Sequence, residues 1–317
     1  EQTEALDNED AVVWAKHLEF TRDGLLAVPD RGSFAMTDWS RSQLASVVGL
    51  KWDRWFENAE PDERADEMNR RFRRADFQLR VRTRRLVEPR EMPADGEVRA
   101  LVSPGYSPIK DSAVARMMIE ALEPTDPELP LIRFGETDRT TSFVVRVGKS
   151  FHPDSVVGDL HGGVVFMNSG VGASSLRILA HITRLFCKNG MCVPAIDGAL
   201  FRRAHRGIAE GKLRELLADR LAALPGALAQ GADALRTART RSVVEVEDAV
   251  RRILAAAHLP LKLMSDIMAA YRQEPEMSAF GIAQAITRAA QACAQELRLD
   301  LERAAGHYLA SFRRGAN

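Results

Sequence analysis

The period of the apolar residues changes partway along the chain, and that change limits the fold more than any single motif does. Up to about residue 198 apolar and polar residues alternate in short runs; beyond it, apolar residues recur three and four positions apart over long stretches. A period of two suits a strand with one buried face, and a period near 3.6 suits an amphipathic helix. The pattern predicts an α+β protein: an antiparallel sheet of β-hairpins with covering helices, followed by a helical C-terminal module. The expected division is an α+β module at 1–197 and a helical module at 198–317 packed on it. A length of 317 residues suffices for a sizeable core.

Local signals place the elements. Thr37-Asp38-Trp39-Ser40 offers N-cap residues for a helix carrying Leu44, Val47 and Val48. Trp52, Trp55 and Phe56 read as a packing anchor, and Asp62–Arg73 as a charged helix buried through Met68 and Phe72. Strands are expected at Phe77–Val87 and Val98–Val102, joined by the turn Pro93-Ala94-Asp95-Gly96. A helix at Ser112–Leu122 and a hairpin of Leu129–Phe134 with Ser142–Val147 follow. Asp159–Asn168 reads as a long apolar strand, in which Gly162-Gly163 marks a bulge or a close backbone approach. Ser174–Cys187 suits either a strand or a helix. Helical patterns then run over Leu213–Leu224, Val246–Ala257, Leu261–Tyr271, Gly281–Leu297 and Leu299–Phe312, with Leu224-Pro225-Gly226 read as an interruption.

Acidic and basic residues balance at 44 each, so any affinity for a polyanion must come from local segregation of charge. Segregation is strongest between Arg70 and Arg90, where nine arginines fall in 21 residues. Phe77, Leu79, Val81 and Thr83 alternate with Gln78, Arg80, Arg82 and Arg84, giving a strand one apolar face and one guanidinium stripe. Side chains two apart on a strand stand about 6.6–6.8 Å apart, close to the phosphate repeat of an extended single strand. Guanidinium forks suit phosphate oxygens and stack on bases. Arg80, Arg82 and Arg84 are therefore candidate nucleic-acid contacts, with Arg73 and Arg74 extending the track and Arg202 and Arg203 forming a second basic cluster. The competing reading is a solvated face neutralised by the acidic segment 57–67.

Weaker constellations point elsewhere. Arg177, His181 and Arg184 would share one face of a helix, whereas a strand would put Arg184 on the face opposite Arg177. Gly170–Ser175 could cradle a phosphate if Ser174 opened a helix, but the loop has neither Walker nor dinucleotide spacing. His152, Asp154, Asp159 and His161 are the nearest approach to a metal-ligand cluster, and they lack a third His or a Cys. No catalytic residue, metal or cofactor is assigned. Cys187, Cys192 and Cys293 have no disulfide or zinc-finger arrangement and read as reduced thiols. No apolar run reaches membrane-spanning length and no leader pattern opens the chain, which suggests no membrane partner; the start at Glu1 suggests a trimmed or processed N-terminus. The stripe Ile282, Ala285, Ile286, Ala289, Ala290 and Cys293 serves core packing or a homo-oligomer seam.

Asn168-Ser169-Gly170-Val171-Gly172 followed by Arg184-Leu185-Phe186-Cys187-Lys188-Asn189-Gly190 resembles the phage- and plasmid-associated family termed domain of unknown function 932. That family carries Asn-Ser-Glu-x-Gly and then Arg-x-x-Cys-x-Asn-Gly; Gly170 stands here where the family has an acid. Arg99-Ala100-Leu101-Val102-Ser103 with Tyr106 resembles its Arg-Ala-x-x-Ser-x-x-Tyr segment. The stretches Gly281–Ala290 and Leu301–Gly306 resemble its C-terminal helices. The resemblance implies a mobile-element context, a bacterial or phage cytoplasm and dealings with DNA. A basic β-meander with covering helices is also similar in architecture to the single-strand annealing proteins of recombination. The combined expectation is a non-enzymatic, cytoplasmic nucleic-acid-binding protein, with single-stranded DNA favoured and a homo-oligomer left open. The alternatives are an enzyme acting on nucleotides or phosphoesters around Asp159, His161 and Gly170–Ser175, and a protein-interaction factor.

Overall fold

The computed structural model describes residues 9–50, 56, 58–84, 94–126, 128–148, 160–184, 190–193 and 200–312. Trp52, Trp55, His152, Asp154, Asp159 and Cys187, singled out in the sequence, lie outside the described residues. The fold is α+β, with two sheets, mostly antiparallel, and a helical C-terminal region.

The first sheet comprises β1 (Glu9–Trp14), β2 (Glu19–Phe20), β3 (Leu26–Val28), β4 (Gly32–Met36), β5 (Gln78–Arg84) and β6 (Glu97–Val102), in the order β1-β5-β6-β4-β3-β2. Only the β4–β6 pair is parallel. Helices α1 (Asp38–Val47) and α2 (Pro61–Arg74) cover its apolar face, burying Leu44, Met68 and Phe72 against Leu79 and Val81. Thr37 caps α1 by accepting the Ser40 amide at 3.1 Å. Asn69 on α2 clamps β2 by accepting from Phe20 N at 2.7 Å and donating to Phe20 O at 3.0 Å. Those two bonds satisfy backbone groups that a short edge strand would otherwise leave unpaired.

The second sheet runs β11 (Gly190–Val193), β10 (Leu176–Arg184), β9 (Leu160–Asn168), β8 (Thr141–Arg146), β7 (Leu131–Glu136), with β12 (Phe201–Arg203) also paired to β10. Both faces of β9 and β10 are covered, so these strands read as near-continuous apolar runs. That two-sided burial is why 174–187 resembled a helix in sequence. Gly163 is the close approach expected there: a Cβ on it would stand 2.6 Å from the Val145 carbonyl oxygen of β8. The pairing of β9 with β10 holds register through Gly163 and Gly162, without a bulge.

Among the described residues seven further α-helices follow: α3 (Asp111–Leu122), α4 (Glu210–Leu221), α5 (Leu224–Thr240), α6 (Val246–Ala256), α7 (Met264–Gln273), α8 (Ala279–Ala290) and α9 (Gln295–Ser311). Leu224-Pro225-Gly226 opens α5 rather than interrupting a helix, because Pro needs no hydrogen-bond partner in a first turn. The small-residue stripe of α8 lies in the core, with Ile282, Ala285, Ile286 and Ala290 buried. One apolar cluster joins Phe166 and Ile178 of the sheet to Leu217, Leu235 and Ile286 of the helices, so the helical region packs on the second sheet.

The opposite face of the second sheet receives α9 through buried polar contacts. Glu302, wholly buried, accepts from Arg133 at 2.8 and 2.9 Å and from Arg298 at 3.0 Å, with His181 Nε2 at 3.7 Å. Burial alone would raise this carboxyl, but the hydrogen bonds and charges of Arg133 and His181 hold it down at about 2. Glu296 accepts from Thr137 and Thr140 at 2.9 and 2.7 Å, and Gln295 donates to Ser142 at 3.1 Å.

Because Glu302 is held below its ordinary 4.5, its stabilisation is present above that pH and lost as the pH falls towards 2. Glu302→Gln is expected to cost on the order of 3 kcal/mol at pH 7. In urea unfolding at pH 7 and pH 3, the deficit against wild type should narrow at the lower pH; an unchanged deficit would contradict the assignment.

Candidate nucleic-acid interface

Strand β5 carries the predicted stripe, with Arg80, Arg82 and Arg84 on the face opposite Leu79 and Val81. It is a central strand, however, and both neighbours supply carboxylates. Asp10 on β1 stands directly across from Arg82, and Glu97 on β6 directly across from Arg84. Cross-strand pairs of opposite charge stabilise a sheet. Arg82 Nε donates to Asp10 at 2.8 Å, and its Nη1 donates to the Gly170 carbonyl. Arg80 reaches Asp10 at 3.4 Å and the Pro104 carbonyl at 2.9 Å, and Arg84 reaches Glu97 at 3.1 Å. The Arg82 side chain is 8% exposed and those of Arg80 and Arg84 about a third or less, so the stripe is largely occupied within the fold.

The expected pairing with segment 57–67 is corrected by this geometry. Glu67 binds Arg70 and Arg71 of its own helix, and Asp62 meets Arg22 at 2.8 Å. Arg73 and Arg74 are exposed in the last turn of α2, but α2 covers the apolar face of the sheet, so they do not extend the stripe.

What covers the arginine face is the loop between β9 and β10, the Asn-Ser-Gly-Val-Gly segment. Its carbonyls are taken in turn by the first sheet and its surroundings. Tyr106 Oη donates to Ser169 O at 2.8 Å, Arg82 to Gly170 O, and Trp39 Nε1 and Gln43 Nε2 each to Val171 O at 3.0 Å. Asn168, buried, donates to the Ile109 carbonyl at 2.8 Å and to Asp111 at 2.5 Å. Gly172 turns the chain at φ +81°, a conformation side chains rarely adopt. Tyr106 thus meets Ser169 across the two sheets. A side chain on Gly170 would begin 3.3 Å from Arg82, whose carboxylate partner is Asp10. Burial pushes the Tyr106 hydroxyl up to about 12. His205 stacks on Tyr106 at 5.1 Å and accepts the Ile109 amide at 3.2 Å, and burial lowers its pKa, so the ring is neutral. The segment leads into strand β10 at Leu176, which removes the helix N-terminus that a phosphate cradle at Ser174 required.

Among the described residues, Arg177 and Arg202 have no ion-pair partner. Arg177 on β10 and Arg202 on β12 are directly opposite one another across antiparallel strands. Both donate to a single hydroxyl, Ser175 Oγ, at 3.4 and 3.2 Å. Arg303 of α9 adds a third positive charge, balanced by Asp300 at 3.1 Å. Burial first, then Arg303 and Arg202, depress the Arg177 pKa. Like charges directly opposite destabilise a sheet, so this cluster is electrostatically incomplete. Arg203 stands across from Leu176 and so faces the other side of the strand from Arg202. Arg303 escaped notice in sequence because it lies more than a hundred residues from Arg177; the signal that was legible is the Arg202–Arg203 pair itself.

Among the described residues, no group of three or more His, Cys, Asp or Glu is placed to hold a metal, and no helix is long and apolar enough to cross a membrane. No family model, curated protein or solved structure matches the chain.

In a double-mutant cycle of Asp10→Asn and Arg82→Ala by urea unfolding, each single change should cost about 2–3 kcal/mol, with a coupling of at least roughly 1 kcal/mol. Additive losses would mean that the pair does not act as a buried unit.

Proposed function

We propose that this protein binds single-stranded nucleic acid, DNA in preference, without catalysing a reaction, and that the contacts lie at Arg177, Arg202 and Arg303 rather than along β5. The observation that carries this reading is the cross-strand pair of arginines sharing one serine hydroxyl. A phosphate between two opposed guanidinium groups would relieve their repulsion and accept forked hydrogen bonds from both. Contacts of this kind are independent of base sequence and sensitive to salt. The resemblance to a mobile-element family supports a role in phage or plasmid recombination or strand annealing. With formal charge balanced over the whole chain, binding would be local and of moderate strength.

Fluorescence anisotropy with a labelled single-stranded oligonucleotide across a salt series tests the proposal. Wild type should bind at micromolar concentration and lose affinity as salt rises. Arg177→Ala with Arg202→Ala should lower the log–log salt slope by about 0.7, the loss of the one phosphate contact that the two guanidinium groups share. Unchanged affinity and slope in the double variant would refute the assignment.

A further inference from the structure

Beside the Arg177–Arg202 cluster, α6 and α9 part to leave a pocket of about 710 Å³, within the range of small-molecule sites. Its lining is chemically mixed. Ile253, Ala256, Tyr308 and Phe312 are apolar or aromatic, and the rings of Tyr308 and Phe312 meet edge to face at 5.1 Å. Arg252, Arg303 and Asp300 are its charged members. Arg303 is held by Asp300, whereas Arg252 has no ion pair or hydrogen bond among the described residues. The pocket shares Arg303 and Asp300 with the surroundings of the arginine cluster, since the charges of both also act on Arg177. An occupant must therefore combine an anionic group with a flat apolar body of moderate size.

We propose that this pocket receives one nucleotide unit, its phosphate between Arg252 and Arg303 and its base against Ile253, Tyr308 and Phe312. The assignment rests on the reading of Arg177, Arg202 and Arg303 as a nucleic-acid surface. Bases stack on aromatic side chains whatever their identity. The same chemistry is offered by a free mononucleotide and by one nucleotide of a bound strand.

Calorimetric titration of the full chain separates these cases. Nucleoside monophosphates should bind, with the unphosphorylated nucleoside and inorganic phosphate each weaker by roughly tenfold or more. Arg252→Ala should weaken monophosphate binding by a similar factor. Ala256→Trp, placed at an exposed position on the rim, should abolish it while thermal unfolding stays two-state. Competition between monophosphate and oligonucleotide would identify the occupant as part of the strand, and independent binding as a free nucleotide. Absence of monophosphate binding overturns the pocket assignment even if oligonucleotide binds. So does equal affinity for inorganic phosphate, or binding that Ala256→Trp leaves intact. Monophosphate binding without oligonucleotide binding would instead overturn the proposed function and leave the pocket standing.

Discussion

The contact on which the two halves of the molecule depend is Arg82 with its acceptors, Asp10 on β1 and the Gly170 carbonyl in the β9–β10 loop. A guanidinium this deeply enclosed is tolerated only when its donors are met by a carboxylate and a backbone oxygen. Once Arg82 is committed in this way, the loop is drawn over the first sheet, and Tyr106, Trp39 and Gln43 can reach the neighbouring carbonyls. The residues that look most like a ligand-binding motif in sequence therefore do structural service. Their polar atoms face inward, towards partners already present.

That assignment leaves the molecule's arginines in two electrostatic classes. On β5 each guanidinium faces an acid from a neighbouring strand, and displacing that acid in favour of a phosphate would trade one ion pair for another with little gain. On β10 and β12, two arginines face each other and share a hydroxyl, and a third comes from α9 with a single aspartate to balance it. An anion there adds attraction without breaking an existing pair. The α6–α9 pocket extends the same positive region towards an apolar wall, which suits a ligand that is charged at one end and flat at the other.

Much of the fold was legible because it is locally encoded. Thr37 caps a helix, Val114, Met117 and Met118 mark a buried stripe, and alternation marks β5 and the β7–β8 hairpin. What was not legible depends on distant partners. Strands β1 and β4 are short and acquire their identity from pairing with β5 and β6, dozens of residues away. Asp10 becomes a partner of Arg82 only because the β1–β5 register sets the two opposite one another. Period-two alternation identified a guanidinium face on β5 correctly, but alternation reports which side chains share a face and nothing of what lies over it. The covering loop comes from 88 residues further along the chain. Likewise Arg177 and Arg202 are 25 positions apart, and only the β10–β12 register makes them neighbours.

Photo-crosslinking of a halogenated single-stranded oligonucleotide, read by mass spectrometry of the crosslinked peptides, addresses the division of the arginines most directly. The account predicts adducts in peptides spanning Ser175–Arg177, Phe201–Arg203 and the α9 segment around Arg303, with none on β5. Adducts concentrated on Gln78–Arg84 would contradict it, since they would mean that Asp10 and Glu97 yield their arginines to phosphate.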